Sequence, residues 1–144
     1  SPLPKYRGGS PIQNQVIRGE TTSAVSIFQM SEGIDNGTIL KQVPISLSGN
    51  IEDIFHRMTS VGIVATSEII NGKYKSIIQD HDEATFFKRR KPQQSEITLD
   101  EIKNKPANYL YNKIRMLTGP YPSAYIRTVD NKKLYISSAH LEEK

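Results

Sequence analysis

The chain has 144 residues, 36% of them hydrophobic and 24% charged, with a formal net charge of +4. That is room for one domain, or one domain with a small appendage, around a modest core. No apolar run approaches the ~18 residues a bilayer span needs, and no secretory leader opens the chain, so no membrane partner is expected. Cysteine is absent, which excludes a disulfide framework and thiolate metal sites and fits a cytoplasmic protein. The three histidines, His56, His81 and His140, are too scattered to suggest a metal site. The positive balance favours anionic ligands.

Residues 1–11 carry three prolines and the pair Gly8-Gly9 and are expected to be loop. Beginning at Ser1 inside that loop, the chain reads as a cut piece. Residues 12–18 suit a short helix with Ile12, Val16 and Ile17 on one side. Ala24 to Met30 is rich in β-branched and aromatic residues and predicts a strand. A turn-rich segment, Ser31 to Gly37, separates it from a second strand over Thr38 to Ile45. The clearest helix covers residues 51–70. Ile51, Ile54, Phe55, Met58, Val61, Ala65 and Ile69 make its apolar stripe, with Asn50 and Asp53 at its start and Asn71-Gly72 at its stop. His56 lies beside the stripe and reads as structural or surface.

A polar connector follows from about Asp80 to Lys105. After Pro106 comes a second helix burying Leu110, Ile114 and Leu117 and ending at Thr118-Gly119-Pro120. Tyr125 to Thr128 and Lys133 to Ser137 read as two strands joined at Asp130-Asn131. Three units are expected: 1–79, a linker over 80–105, and a helix and β-hairpin over 106–144. A doubly wound parallel sheet needs more crossover helices than this chain supplies, so it is expected to lack a partner half or to assemble.

Taken alone, Asp35-Asn36-Gly37 is a turn. Its value changes beside the opening Ser1-Pro2-Leu3-Pro4-Lys5-Tyr6-Arg7-Gly8-Gly9-Ser10-Pro11-Ile12-Gln13. That stretch resembles the S-L-L-P-x-Y-R-G-x-x-P-I-Q segment of folate-dependent formyltransferases, which there follows a catalytic N-x-H. Met30-Ser31-Glu32-Gly33-Ile34-Asp35-Asn36-Gly37 is similar to the same family's strand-ending Met and acidic-Gly-hydrophobic-Asp-x-Gly loop. Glu83-Ala84-Thr85 with Arg89-Arg90-Lys91-Pro92, and Ile114-Arg115 with Pro120-Tyr121-Pro122-Ser123-Ala124-Tyr125, resemble the linker and C-terminal turn of its amino-sugar branch.

The resemblance implies an α/β fold: the C-terminal part of a Rossmann-like formyltransferase domain followed by a small helix and β-hairpin subdomain. It implies transfer of a formyl group from N10-formyltetrahydrofolate to the amine of a nucleotide-linked amino sugar. Asp35 corresponds to the aspartate that holds the histidine and stabilises developing charge. Ser1, Pro2, Leu3 and Pro4, with Ser31, Glu32, Gly33, Ile34 and Asp35, correspond to stretches lining the folate site. No metal is implied. The N-x-H lies outside these residues, so the isolated chain is expected to be inactive. Gly9 stands where some relatives have an arginine, and Ser123 where a glycine is usual.

Two other readings compete. Methionyl-tRNA formyltransferase shares the front motifs, but only about twenty residues follow Tyr125, too few for that enzyme's barrel domain; nucleic acid is therefore not the expected partner. A non-catalytic remnant or dimerisation module is the alternative from another class, with a homodimer left open.

Overall fold

The computed structural model describes residues 1–142. In chain order the elements are β1 (Arg7–Gly8), α1 (Pro11–Ile17), β2 (Thr22–Phe28), β3 (Ile39–Ser46), α2 (Ile51–Ile70), β4 (Phe86–Phe87), α3 (Leu99–Asn104), α4 (Ala107–Met116), β5 (Tyr125–Arg127) and β6 (Lys133–Tyr135). Three two-stranded pairings organise them: β2 with β3 and β5 with β6 antiparallel, β1 with β4 parallel. Among the described residues no helix is long and apolar enough to cross a membrane.

The capping chemistry of α2 is complete. Asn50 accepts from the Asp53 backbone N–H while Asp53 accepts from the Asn50 backbone N–H, so two otherwise orphan donors are satisfied. Its inward stripe packs Ile51 and Ile54 against Ile45 and Leu47, with Ile12 and Val16 of α1 and Met116 of α4 closing the same core. Fully burying such side chains stabilises by about 1.5–3 kcal/mol each, which fixes the helix to the β2–β3 pair. A second cluster joins Ile17 to Ile97, Ile114, Leu117 and Ala124. Because α1 feeds the first cluster through Ile12 and Val16 and the second through Ile17, it ties the two ends of the chain together.

The polar connector carries elements of its own. It holds β4, a 3₁₀ turn at Pro92–Ser95, and α3. Thr98 caps α3 reciprocally with Glu101, a T-x-x-E signature hidden by the polar surroundings. Glu101 also accepts from the buried Lys113 of α4 at 2.8 Å through both oxygens, and Lys113 donates to the Glu96 carbonyl as well. The first predicted strand ends earlier than expected, at Phe28, leaving Met30 almost fully exposed. The C-terminal helix and hairpin form where expected, with Asn131 of the turn at φ 62°.

Candidate active site

The opening loop lies across the β2–β3 pair. Ser26 Oγ donates to the Ser1 carbonyl at 2.6 Å, and Gln42 Nε2 donates to the Leu3 carbonyl at 2.9 Å. Leu3 is buried, while Ser1, Pro2 and Pro4 are half-buried at the surface of that layer. Within the loop the Leu3 N–H donates to the Ser1 carbonyl and the Lys5 N–H to the Pro2 carbonyl, at 3.0 Å each, so its own turn satisfies most of its main chain.

Asp35 sits in the turn between β2 and β3, at φ 50°, a left-handed conformation that Asp tolerates better than most residues. Its Oδ2 accepts from the Gly8 backbone N–H at 2.7 Å, which brings the turn onto the opening segment. Ser31, Glu32, Gly33 and Ile34 are all exposed on the approach to Asp35, and Ser31 Oγ donates to the Asn36 side chain. Gly37 ends the turn because nothing larger fits: a Cβ there would lie 1.7 Å from the Gln29 carbonyl oxygen.

A buried network supports the turn from below. Gln79 Nε2 donates to the carbonyls of Asp35 at 3.0 Å and Gly37 at 2.6 Å. Its Oε1 accepts from Arg7 Nε at 3.2 Å and Nη2 at 2.6 Å. Arg7, only 2% exposed, also donates from Nη2 to His81 Nδ1 at 3.1 Å. An arginine offers only donors, so His81 Nδ1 is the acceptor in this contact. Arg7, Gln79 and His81 therefore position the carboxylate turn. Arg7 stands out in the sequence only as part of a motif, and Gln79, at the end of the first unit, and His81, in the connector, carry no local signal of this role.

The linker closes over the other side of the opening segment. Arg7 and Gly9 backbone N–H groups donate to the Thr85 and Phe87 carbonyls at 2.8 Å each, and the Arg90 N–H donates to Ser10 Oγ at 3.1 Å. Gly9 permits this approach, since a Cβ there would fall 2.3 Å from the Arg89 backbone nitrogen. An arginine at this position could not share the same linker path. The site thus combines an oriented carboxylate, the pinned opening loop beside it and an exposed loop carrying Glu32. Such an arrangement can hold a polar planar ligand and steer a proton-carrying group. Among the described residues no group of three His, Asp or Glu side chains is placed to hold a metal ion.

Residues 1–70 match the family described as formyl transferase. Over 98% of its length the chain is 34% identical to methionyl-tRNA formyltransferase from Staphylococcus aureus (strain Newman), covering 45% of that enzyme; it thus spans about half the length of the curated relatives it matches. The structure superposes on methionyl-tRNA formyltransferase from Clostridium thermocellum with a TM-score of 0.84 at 35% identity, covering 97% of this chain and 60% of that one. An N-formyltransferase from Helicobacter canadensis, solved in complex with folinic acid and dTDP-3-aminofucose, shares the fold at a TM-score of 0.65 and 23% identity, covering 78% of this chain and 43% of that one.

Proposed function

Residues 1–70 belong to the formyl transferase family, and on that footing we propose that the protein moves a formyl group from N10-formyltetrahydrofolate to a primary amine. The observation that carries this reading is the Asp35 carboxylate, locked onto Gly8 beside residues 1–4. The amine nitrogen bonds to the formyl carbon and the carbonyl oxygen gains negative charge. The bond to N10 then breaks, N10 takes up a proton, and the amine gives one up. Asp35 orients the imidazole that the family's N-x-H supplies and favours its charged form. Ser1 to Pro4 and Ser31 to Asp35 line the folate site.

For the acceptor, the favoured reading is a nucleotide-linked amino sugar. Its support is the linker, whose Arg89, Arg90, Lys91 and Pro92 wall a small-molecule-sized cavity together with the Pro120-Tyr121-Pro122 turn. Methionyl-tRNA is the second reading, favoured by the 34% and 35% identities to enzymes of that description. Supplying the intact protein and formyl-folate with dTDP- and UDP-linked amino sugars and, in parallel, with methionyl-tRNA tests both. N-formylated sugar nucleotide with unmodified tRNA is the expected result. Formylation of the tRNA alone selects the second reading, and no product from any amine removes formyl transfer altogether.

A further inference from the structure

Consecutive main-chain N–H groups of the opening segment are taken by two different parts of the molecule. Tyr6 donates to Thr85 Oγ1, and Arg7 and Gly9 donate to the Thr85 and Phe87 carbonyls, at 2.8 Å each. Gly8, between them, donates to Asp35 Oδ2 at 2.7 Å. Strand β1 is thus held by the linker through its neighbours on either side of the one donor that reaches the carboxylate. Its backbone is not that of a relaxed strand, since Tyr6 lies at φ 58° and Gly8 at φ 92°. Glycine adopts such a value freely, whereas a bulky side chain at positive φ persists only where its surroundings hold it. For Tyr6 those surroundings come largely from the linker. Thr85 takes its N–H, and Phe87 stacks on its ring with centroids 4.9 Å apart and planes 10° from parallel. Its hydroxyl donates to Glu20 at 2.9 Å. A Cβ on Gly8 would fall 2.5 Å from the Phe87 carbonyl oxygen, so strand and linker lie as close as their backbones allow.

We propose that Thr85 is a positioning residue for Asp35: its hydroxyl and carbonyl fix the Tyr6–Arg7 backbone in the turn that aims the Gly8 N–H at the carboxylate. The consequence for the rate rests on the formyl-transfer reading above; the effect at Gly8 rests on geometry alone. The direction of the Gly8 N–H is set by the planar peptide that joins it to Arg7, and that plane follows from the torsions of Tyr6 and Arg7. Without the Oγ1 acceptor, Tyr6 loses one of the contacts that hold its left-handed conformation. Relaxation there turns the following peptides and draws the Gly8 donor off Asp35. The Arg7 side chain swings on the same backbone, and it donates to the Gln79 that carries the Asp35 and Gly37 carbonyls. A single linker residue therefore bears on both supports of the carboxylate turn. Thr85 makes its own hydrogen bonds to Tyr6 and Arg7, so it acts on Asp35 through them. Only its hydroxyl depends on the side chain: valine keeps the branched shape and the carbonyl but loses the acceptor, whereas serine keeps the acceptor.

Thr85→Val and Thr85→Ser in the intact protein test the proposal with two readouts. The first is the Gly8 amide, followed by NMR after labelling arginine carbonyls with carbon-13 and glycine with nitrogen-15, which selects Arg-Gly pairs such as Arg7-Gly8 and Arg18-Gly19. Its resonance is identified by its response to Asp35→Asn. In Thr85→Val the Gly8 proton is expected to move upfield and to exchange with solvent on the order of 10-fold faster, and in Thr85→Ser to return to its original position and rate. Thr85 is exposed, so Tm is expected to stay in place in both variants. The second readout is steady-state kinetics with formyl-folate and whichever acceptor the parallel assay selects. The kcat of Thr85→Val is expected to fall on the order of 2- to 10-fold, the worth of one hydrogen bond, with the folate KM unchanged and with recovery in Thr85→Ser. A Gly8 amide indifferent to valine overturns the proposal, as do valine and serine variants that behave alike or a displaced amide at an unchanged rate. In a protein that transfers no formyl group to any amine, an amide that responds to valine and recovers with serine upholds the geometry and sinks the reaction instead.

Discussion

The two faces of the opening segment treat their polar groups in opposite ways. On the Asp35 side, Gln79 accepts from Arg7 and donates to the carbonyls of Asp35 and Gly37 in the turn it supports. On the linker side, Gln13 Nε2 and Arg90 Nε are buried with no partner. A satisfied network holds its members in one geometry before any ligand arrives, as catalysis by a positioned carboxylate requires. An unsatisfied pair instead carries the cost of desolvation without return. The first face holds the Asp35 turn in place, while the second leaves two donors unpaired.

The largest effect expected from breaking this contrast is at Asp35. Asp35→Asn keeps the hydrogen bond from Gly8 through its amide oxygen but removes the charge. The rate of formyl transfer is expected to fall on the order of 10²–10⁴-fold with folate affinity little changed. Steady-state kinetics with separate folate titration measures both, and a near-normal rate would return Asp35 to the role of a turn residue.

Next in size is Gln79→Leu. It leaves the buried Arg7 guanidinium short of its principal acceptor and frees the carbonyls of Asp35 and Gly37. A loss of about 2–3 kcal/mol is expected by denaturant unfolding, along with a lower rate from the loosened turn. A stable variant with full activity would show that the turn positions itself, and the contrast between the faces would lose its meaning.

The smallest effect sharpens the comparison, because it concerns a satisfied ion pair next to the unsatisfied Arg90. Burial pushes the Glu101 pKa up, but hydrogen bonds from Lys113, the Thr98 backbone and Tyr109 outweigh it and hold the group below its ordinary 4.5. With the folded-state pKa depressed, the unfolded chain binds the proton more readily. The stabilisation is full above pH 4.5 and disappears as pH falls through the lower folded value. Glu101→Gln is expected to cost about 1–2 kcal/mol at neutral pH and to flatten the acid limb of a plot of Tm against pH. An unchanged acid limb would mean that the pair contributes no pH-linked stability.

Short-range chemistry was legible from the residues themselves. The stripe and capping pair of α2, the turn around Asp35 and the Asp130-Asn131 hairpin all depend on neighbours within a few positions, and each formed where its pattern indicated. The motif resemblance placed residues 1–4 and 31–35 in one site, and the hydrogen bond from Gly8 to Asp35 joins the turn to the opening segment. What the residues did not announce was the connector. Its T-x-x-E cap lay within reach of a local reading, but its pairing of Phe86 with Arg7 did not. The burial of Arg7 against Gln79, 72 positions away, and the cavity shared by Gln13, Arg90 and Tyr121 likewise exist only once distant segments meet. Whether a polar side chain is solvated, satisfied or stranded is set by what packs over it, and that is a property of the tertiary structure rather than of any window of sequence.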